Sequence, residues 1–301
     1  ILHADVTAIK DDAFKGCTAL TTINLPEGLL TIGNSAFAGC TSLENITLPL
    51  NLTTIGEHAF EGTALQSIKF QENVTTIGAY AFNECQDLKL RGSFPEKLTT
   101  IGDYAFYNCT GFGSYSSYTL SIPDSVQKIG KYAFYHWKGI FHLNLGTGLT
   151  EIGDYSFCEC TSTSYSQIEF PESLTKIGQY AFYKCEFISS VSFQNKLKEI
   201  GNYAFADCPY LGNTLALPNS LTTLGIASFK NSNIRGELTI PEAIKIIPGY
   251  AFYDCSLTKL IFNENIREIG EYAFYHEKGS NKNTISQKLI IPHTVELIGD
   301  Y

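Results

Sequence analysis

The chain has 301 residues, of which 44% are hydrophobic and 17% charged, with a net charge of −9 and no methionine. No apolar run approaches the roughly 20 residues a membrane helix needs. The excess of acid argues against a nucleic-acid or anionic-membrane footprint, which requires clustered basic residues. A chain of this length would by itself suggest about two domains, and the opening ILHADVTAIK does not read as a signal peptide.

Internal repetition changes that expectation. A phenylalanine, usually preceded by alanine, recurs as Phe14, Phe37, Phe60, Phe82, Phe106, Phe134, Phe157, Phe182, Phe205, Phe229, Phe252 and Phe274. Five residues before each stands an Ile or Leu, from Ile9 through Ile101 to Ile269. A thirteenth unit opens at Ile298, so both ends of the chain are expected to fall within a repeat.

Each unit reads as three pieces in chain order. The first is an alternating apolar run, as in LTTINLP (20–26), LENITLP (43–49) and QIEFP (167–171), and its period of 2 predicts a strand. Proline ends it at a fixed register eleven residues before the Phe, as at Pro26, Pro95 and Pro241. The second piece, such as LTTIG at 52–56, predicts a brief extended segment and a turn closed by Gly. The third, D/N/E-x-A-F-x-x-C, predicts a single helical turn with Asp103, Asp154, Asn34 and Asn202 as N-caps.

A unit this short cannot bury its apolar face alone, so neighbours must stack into a continuous core. The expectation is one solenoid over residues 1–301, not two domains. The full unit LxxIxLP…LTxIGxxAFxxC resembles the bacterial leucine-rich repeats typified by the surface antigen BspA. That resemblance implies a leucine-rich-repeat solenoid, mostly β: a right-handed curved stack with a parallel sheet on one side and short extended or helical turns on the other. It also implies a secreted or cell-surface protein that binds host or microbial macromolecules.

Nine cysteines are present, eight of them three residues after the repeat Phe, from Cys17 to Cys255. Thr63, Trp137, Ser232 and Glu277 hold that register elsewhere, so the position is not catalytic. A buried small hydrophobe is the first reading of these thiols. Disulfides between stacked turns and metal binding at Cys158 and Cys160 are the alternatives. Nine tyrosines share the register two before the Phe, among them Tyr80, Tyr104, Tyr132 and Tyr155, and would line up along one edge. They read either as half-buried cover for the core or as an aromatic ladder for ligand contact. The acids ten before the Phe, such as Glu27, Glu72 and Glu96, read as solvated surface.

No hydrolase elbow, zincin, Walker or dinucleotide-binding motif occurs, and the six histidines share no register. No enzyme, cofactor or metal site is expected. Length variation falls after the Cys register, in 109–123, 136–142, 160–167 and 277–287, so these segments should emerge on one edge. Tyr115, Tyr118, Trp137, Phe141 and Tyr165 are the candidate ligand contacts there. The functional expectation is a monomeric, extracellular or cell-surface binding module for a protein or glycan, without nucleic-acid binding or membrane insertion. The alternative is a structural spacer with no ligand of its own.

Overall fold

A computed structural model of the chain describes residues 2–111, 118–162, 164–212, 214–276 and 289–300. Two compact units are delimited: residues 1–149 with 160–164, and residues 150–159 with 165–301. Each is a parallel β-solenoid of short strands, and no helix occurs among the described residues.

The continuous ladder comes from the TxI segments, expected only to be briefly extended. In the first unit the two-residue strands Ala8–Ile9, Thr31–Ile32, Thr54–Ile55, Thr76–Ile77, Thr100–Ile101 and Lys128–Ile129 pair in parallel, Ile on Ile. In the second unit Glu151–Ile152, Lys176–Ile177, Glu199–Ile200 and Thr223–Leu224 repeat the pattern. The LxxIxLP runs form strands only in pairs, such as Ser67–Ile68 with Lys89–Leu90 and Ser166–Glu169 with Ile188–Ser192. Residues 20–26 and 43–49, expected as strands, carry none.

The Gly after each TxI pair was expected to make a turn, yet its φ is not positive at Gly33, Gly56, Gly78 or Gly178. Close approach is what demands it. A Cβ on Gly78 would lie 2.7 Å from both Glu57 N and Gly56 C of the preceding coil. The Gly N–H meanwhile donates to the Ile carbonyl one coil back, as Gly56 to Ile32 at 2.8 Å and Gly178 to Ile152 at 2.8 Å. Pro248 occupies this register in one coil and has no N–H to donate. The ladder accordingly stops at Leu224 and restarts with Ile246–Ile247, Glu268–Ile269 and Leu297–Ile298.

The Ala-Phe segment is a turn, not the expected helical turn. The residue two before the Phe and the residue two after it both take left-handed backbone: Tyr80 and Glu84 (φ 58° and 59°), Tyr155 and Glu159 (56° and 58°). A left-handed residue cannot continue a right-handed helix. Alternate N–H groups instead face the next coil. Tyr80, Phe82 and Glu84 donate to the carbonyls of Asp103, Ala105 and Tyr107 at 2.8, 2.8 and 2.9 Å. The intervening Ala81, Asn83 and Cys85 N–H groups close back onto Gly78, Tyr80 and Phe82. The N–H groups of residues 80–85 are thereby all satisfied.

The Asp and Asn residues expected to cap their own turn reach to the next coil as well. Asp103 Oδ1 accepts from Lys131 N at 2.7 Å and Asn34 Oδ1 from Glu57 N at 2.9 Å. In the second unit Asp154 serves Gln179 N at 3.1 Å and Asn202 serves Ile226 N at 2.8 Å. The side chain finds its partner across the stack because the left-handed residue that follows turns the local N–H groups away.

Inside each coil the repeat Phe rings stack. Centroids stand 5.2 to 5.5 Å apart from Phe14 to Phe134, and 5.2 to 5.7 Å from Phe157 to Phe274. The repeat Ile residues and Leu98, Val126 and Leu149 close over them, buried. In two coils serine replaces the Ala before the Phe, and the Ser228 hydroxyl is buried without a hydrogen-bond partner.

Two stability outcomes follow from this packing. Gly78→Ala should destabilise the chain by ~1–3 kcal/mol, the cost of forcing a methyl into a packed contact, read as a lower midpoint in denaturant unfolding. Ser228→Ala should do the opposite. Removing an unsatisfied hydroxyl recovers on the order of 1 kcal/mol and should raise the melting temperature by a few degrees.

Candidate functional site

The ionisable residues that could suggest chemistry are absorbed by the stack. The Cys thiol three after each Phe donates to the Phe carbonyl one coil back: Cys85 to Phe60 at 3.0 Å, Cys109 to Phe82 at 3.1 Å, Cys185 to Phe157 at 2.9 Å and Cys208 to Phe182 at 3.1 Å. Ser232 makes the same bond to Phe205, and Thr63 donates to its own Phe60 carbonyl at 3.0 Å. This explains why hydroxyls can replace the thiol, which a purely hydrophobic role would not. No disulfide joins any of the nine cysteines; Cys17 is exposed and the other eight are buried. Burial pushes the Cys85 thiol up to about 11 and the Cys208 thiol up to about 12, so neither supplies thiolate near neutrality. Among the described residues no group of three or more His, Cys, Asp or Glu could hold a metal ion, and no helix is long and apolar enough to cross a membrane.

The tyrosine register forms ordered stacks. Tyr80, Tyr104 and Tyr132 follow one another at 4.6 Å, as do Tyr155, Tyr180 and Tyr203 at 4.6 and 4.7 Å. A second row runs beside them, Tyr107 on Tyr135 at 4.8 Å and Tyr253 on Tyr275 at 5.1 Å. Lys230 lies over the rings of Tyr250 and Tyr253, and Lys184 over Tyr183. Ring faces within the stacks are therefore taken by other rings or by cations. A ligand meets mainly edges and hydroxyls, which suits half-buried cover better than a platform for sugar stacking.

The five candidate contacts part company. Tyr115 and the side chain of Phe141 lie outside the described residues. Trp137 is 1% exposed, packed at 5.6 and 5.0 Å against Phe106 and Phe134. It fills the Cys register of its coil and offers no surface to a ligand, which corrects the sequence expectation. Tyr118 is half-buried and donates its hydroxyl to the Gly92 carbonyl at 3.0 Å, and burial pushes its phenol up to about 12. Tyr165 is exposed and packs at 4.4 Å against Tyr210, which is also exposed. The sequence expectation missed Tyr210, although CPYLGN at 208–213 follows the Cys register as the named insertions do.

A different surface emerges on the first unit, along the outer side of the LxxIxLP runs. Three shallow clefts of about 340, 320 and 550 Å³ succeed one another there. The first is lined by Asn24, Asn45 and Thr47. The second is lined by Asn45, Thr47, Ser67, Lys69, Gln71 and Arg91, and by no carboxylate. The third adds Glu72 and Glu96 beside Lys69 and Arg91. The exposed side chains here are mostly polar, and the clefts are open, with none of the depth of a small-molecule site.

Parallel coils, a phenylalanine stack and one LxxIxLP run per coil define a leucine-rich-repeat solenoid. Comparison with known families matches the BspA type leucine rich repeat region, in six copies, over residues 7–114, 110–235 and 212–301. The chain belongs to that family. Among solved structures it is similar to a leucine-rich repeat protein from Bacteroides ovatus, with 25% identity over 99% of this chain and 73% of that one, at a TM-score of 0.65. It also matches the pneumococcal vaccine antigen PcpA, with 21% identity over 98% of this chain and 79% of that one, at a TM-score of 0.49. Comparison with curated proteins finds no match.

The thiol arrangement predicts a sharp reactivity contrast. In native protein without reductant, an aromatic disulfide reagent should modify Cys17 alone, and in denaturant it should modify nine thiols. Fewer than nine in denaturant would mean that bridges exist.

Proposed function

We propose that the chain is a non-enzymatic binding module, displayed outside the cell or on its surface, that engages a protein over an extended face. The observation that carries this reading is the cleft-bearing face of the first unit. Asn24, Asn45, Thr47, Lys69 and Arg91 are exposed there on rigid, register-locked coils. Outward positions on a stacked sheet need only be polar to keep the fold soluble, and a run of clefts is more than solubility requires. Family membership supports binding as the use of such a face, and the resemblance to the surface antigen BspA supports an extracellular setting. The exposed Tyr165–Tyr210 pair on the second unit is a further contact of the same kind, with a large rigid area at low entropic cost.

The spacer reading predicts a chain that binds nothing. A panel of purified extracellular-matrix and plasma proteins, immobilised and probed with the soluble chain by biolayer interferometry, separates the two. The binding reading expects saturable capture by at least one panel member. It also expects that capture to weaken on Tyr165→Ala with Tyr210→Ala, or on substitution of Asn45 and Thr47 by Lys, with the melting temperature unchanged. Saturable binding to none of the panel would favour the spacer.

A further inference from the structure

On a chain of net charge −9, the cleft-bearing face of the first unit gathers three cations: Lys69, Lys89 and Arg91. Lys89 lies directly across from Ser67 in the parallel pair of Ser67–Ile68 and Lys89–Leu90, and Lys69 and Arg91 are the next outward residues on the same two coils. All three side chains are exposed, and none forms an ion pair among the described residues. Lys69 and Arg91 together line a cleft that has no carboxylate.

Strand pairs elsewhere in the stack match such neighbours instead. Where two strand-paired residues of the second unit are both charged they are opposite: Lys259 and Glu237 at 2.7 Å, and Lys176 and Glu199 at 3.1 Å. Strands in a ladder stand ~4.8 Å apart, and like charges set side by side at that spacing repel. The first unit accepts that repulsion with no ion pair to any of the three among the described residues, although Glu72 and Glu96 line the adjoining cleft.

We infer that this face binds an acidic segment of an extended polypeptide, laid across the coils with its carboxylates on Lys69, Lys89 and Arg91. The inference rests on the binding reading above and names its partner. Arg91 offers a forked donor set suited to one carboxylate, and the two lysines suit others as point charges. Asn45, Thr47, Ser67 and Gln71 supply amide and hydroxyl groups that can meet a peptide backbone beyond the cations. A polyanion of uniform charge fits less well. Glu72 and Glu96 share the adjoining cleft, and the whole chain is negative, so continuous sulfate or phosphate would be repelled at both margins.

The test uses the full chain and a fluorescein-labelled twelve-residue peptide alternating Glu and Ser, followed by fluorescence anisotropy at low and at physiological salt. Binding should weaken as salt rises, and a Gln–Ser peptide should not bind. The combined variant Lys69→Gln, Lys89→Gln, Arg91→Gln should lose at least tenfold in affinity while keeping the melting temperature. The equal charge change Lys196→Gln, Lys198→Gln, Lys245→Gln should leave affinity unchanged. Reversal of the three cations to Glu should transfer binding to a Lys–Ser peptide. Absence of Glu–Ser binding, or equal loss in both Gln variants, overturns the inference. So does a heparin-derived oligosaccharide that depends on Lys69 and Arg91 where the peptide does not bind. If the triple variant still captures a protein from the matrix and plasma panel, the acidic-segment assignment falls while the binding reading stands.

Discussion

Hydrogen bonds between equivalent turns of successive coils set the terms for everything else in this molecule. Tyr80 N reaches Asp103 O, Phe82 N reaches Ala105 O and Glu84 N reaches Tyr107 O, and the same triplet recurs from coil to coil. To aim alternate N–H groups along the stack, the backbone must enter the left-handed region twice per turn. For a tyrosine that conformation costs about 1–2 kcal/mol. The return is an otherwise buried donor satisfied, about 1–3 kcal/mol if it were left unmet, and a ring placed on its neighbour, about 0.5–1.5 kcal/mol. The strained turn is favourable only in company, which makes stacking a condition of the coil's own conformation.

The same constraint decides which residues may vary. Close coil approach at Gly78 excludes any Cβ, whereas the thiol register accepts Cys, Ser or Thr because each can donate to a Phe carbonyl. Trp137 enters that register differently, by filling space against two phenylalanines where its coil-mates donate. Where Pro248 removes one donor the ladder breaks and begins again, although the aromatic stack runs on from Phe229 to Phe252 and Phe274. Ladder, turn bonds and ring stack are thus partly independent supports: at Pro248 the ladder is interrupted while Phe229 N still reaches Ala251 O and Asn231 N reaches Tyr253 O.

Much of this was legible in the sequence because a repeat displays its own core: residues of one register must be alike if they stack. The Phe, Ile and Ala registers were read correctly for that reason. What escaped was direction. Asp103 has the spacing of an N-cap, but its partner is Lys131, one coil away, and local sequence carries no sign of a bond between coils. The left-handed positions did leave a trace, since Gly16, Gly39 and Gly62 occupy the second of them before Glu84 and Asn108 take over. Tyrosine at the first position hides the requirement, because bulky residues rarely adopt it. The candidate contacts fared worst. Trp137 looked like an insertion aromatic and is core, whereas Tyr210 meets Tyr165 over a span of 45 residues that no local pattern connects.

Stacking also shapes where function can reside. Any residue repeated in a register becomes its own neighbour, so charge on an outward register is either alternated or repelled. In the strand pairs of the second unit it is alternated, with Glu237 beside Lys259 and Lys176 beside Glu199. The first unit places Lys69, Lys89 and Arg91 together and leaves the surrounding register to Asn, Thr and Ser. Neither the core nor the coil-to-coil bonds need that choice, since all three side chains point away from both. A feature that the stack does not require, and that costs it something in repulsion, is what the proposed acidic partner accounts for. In a fold whose interior is dictated by its neighbours, departure from the local rule is where selection for a partner becomes visible.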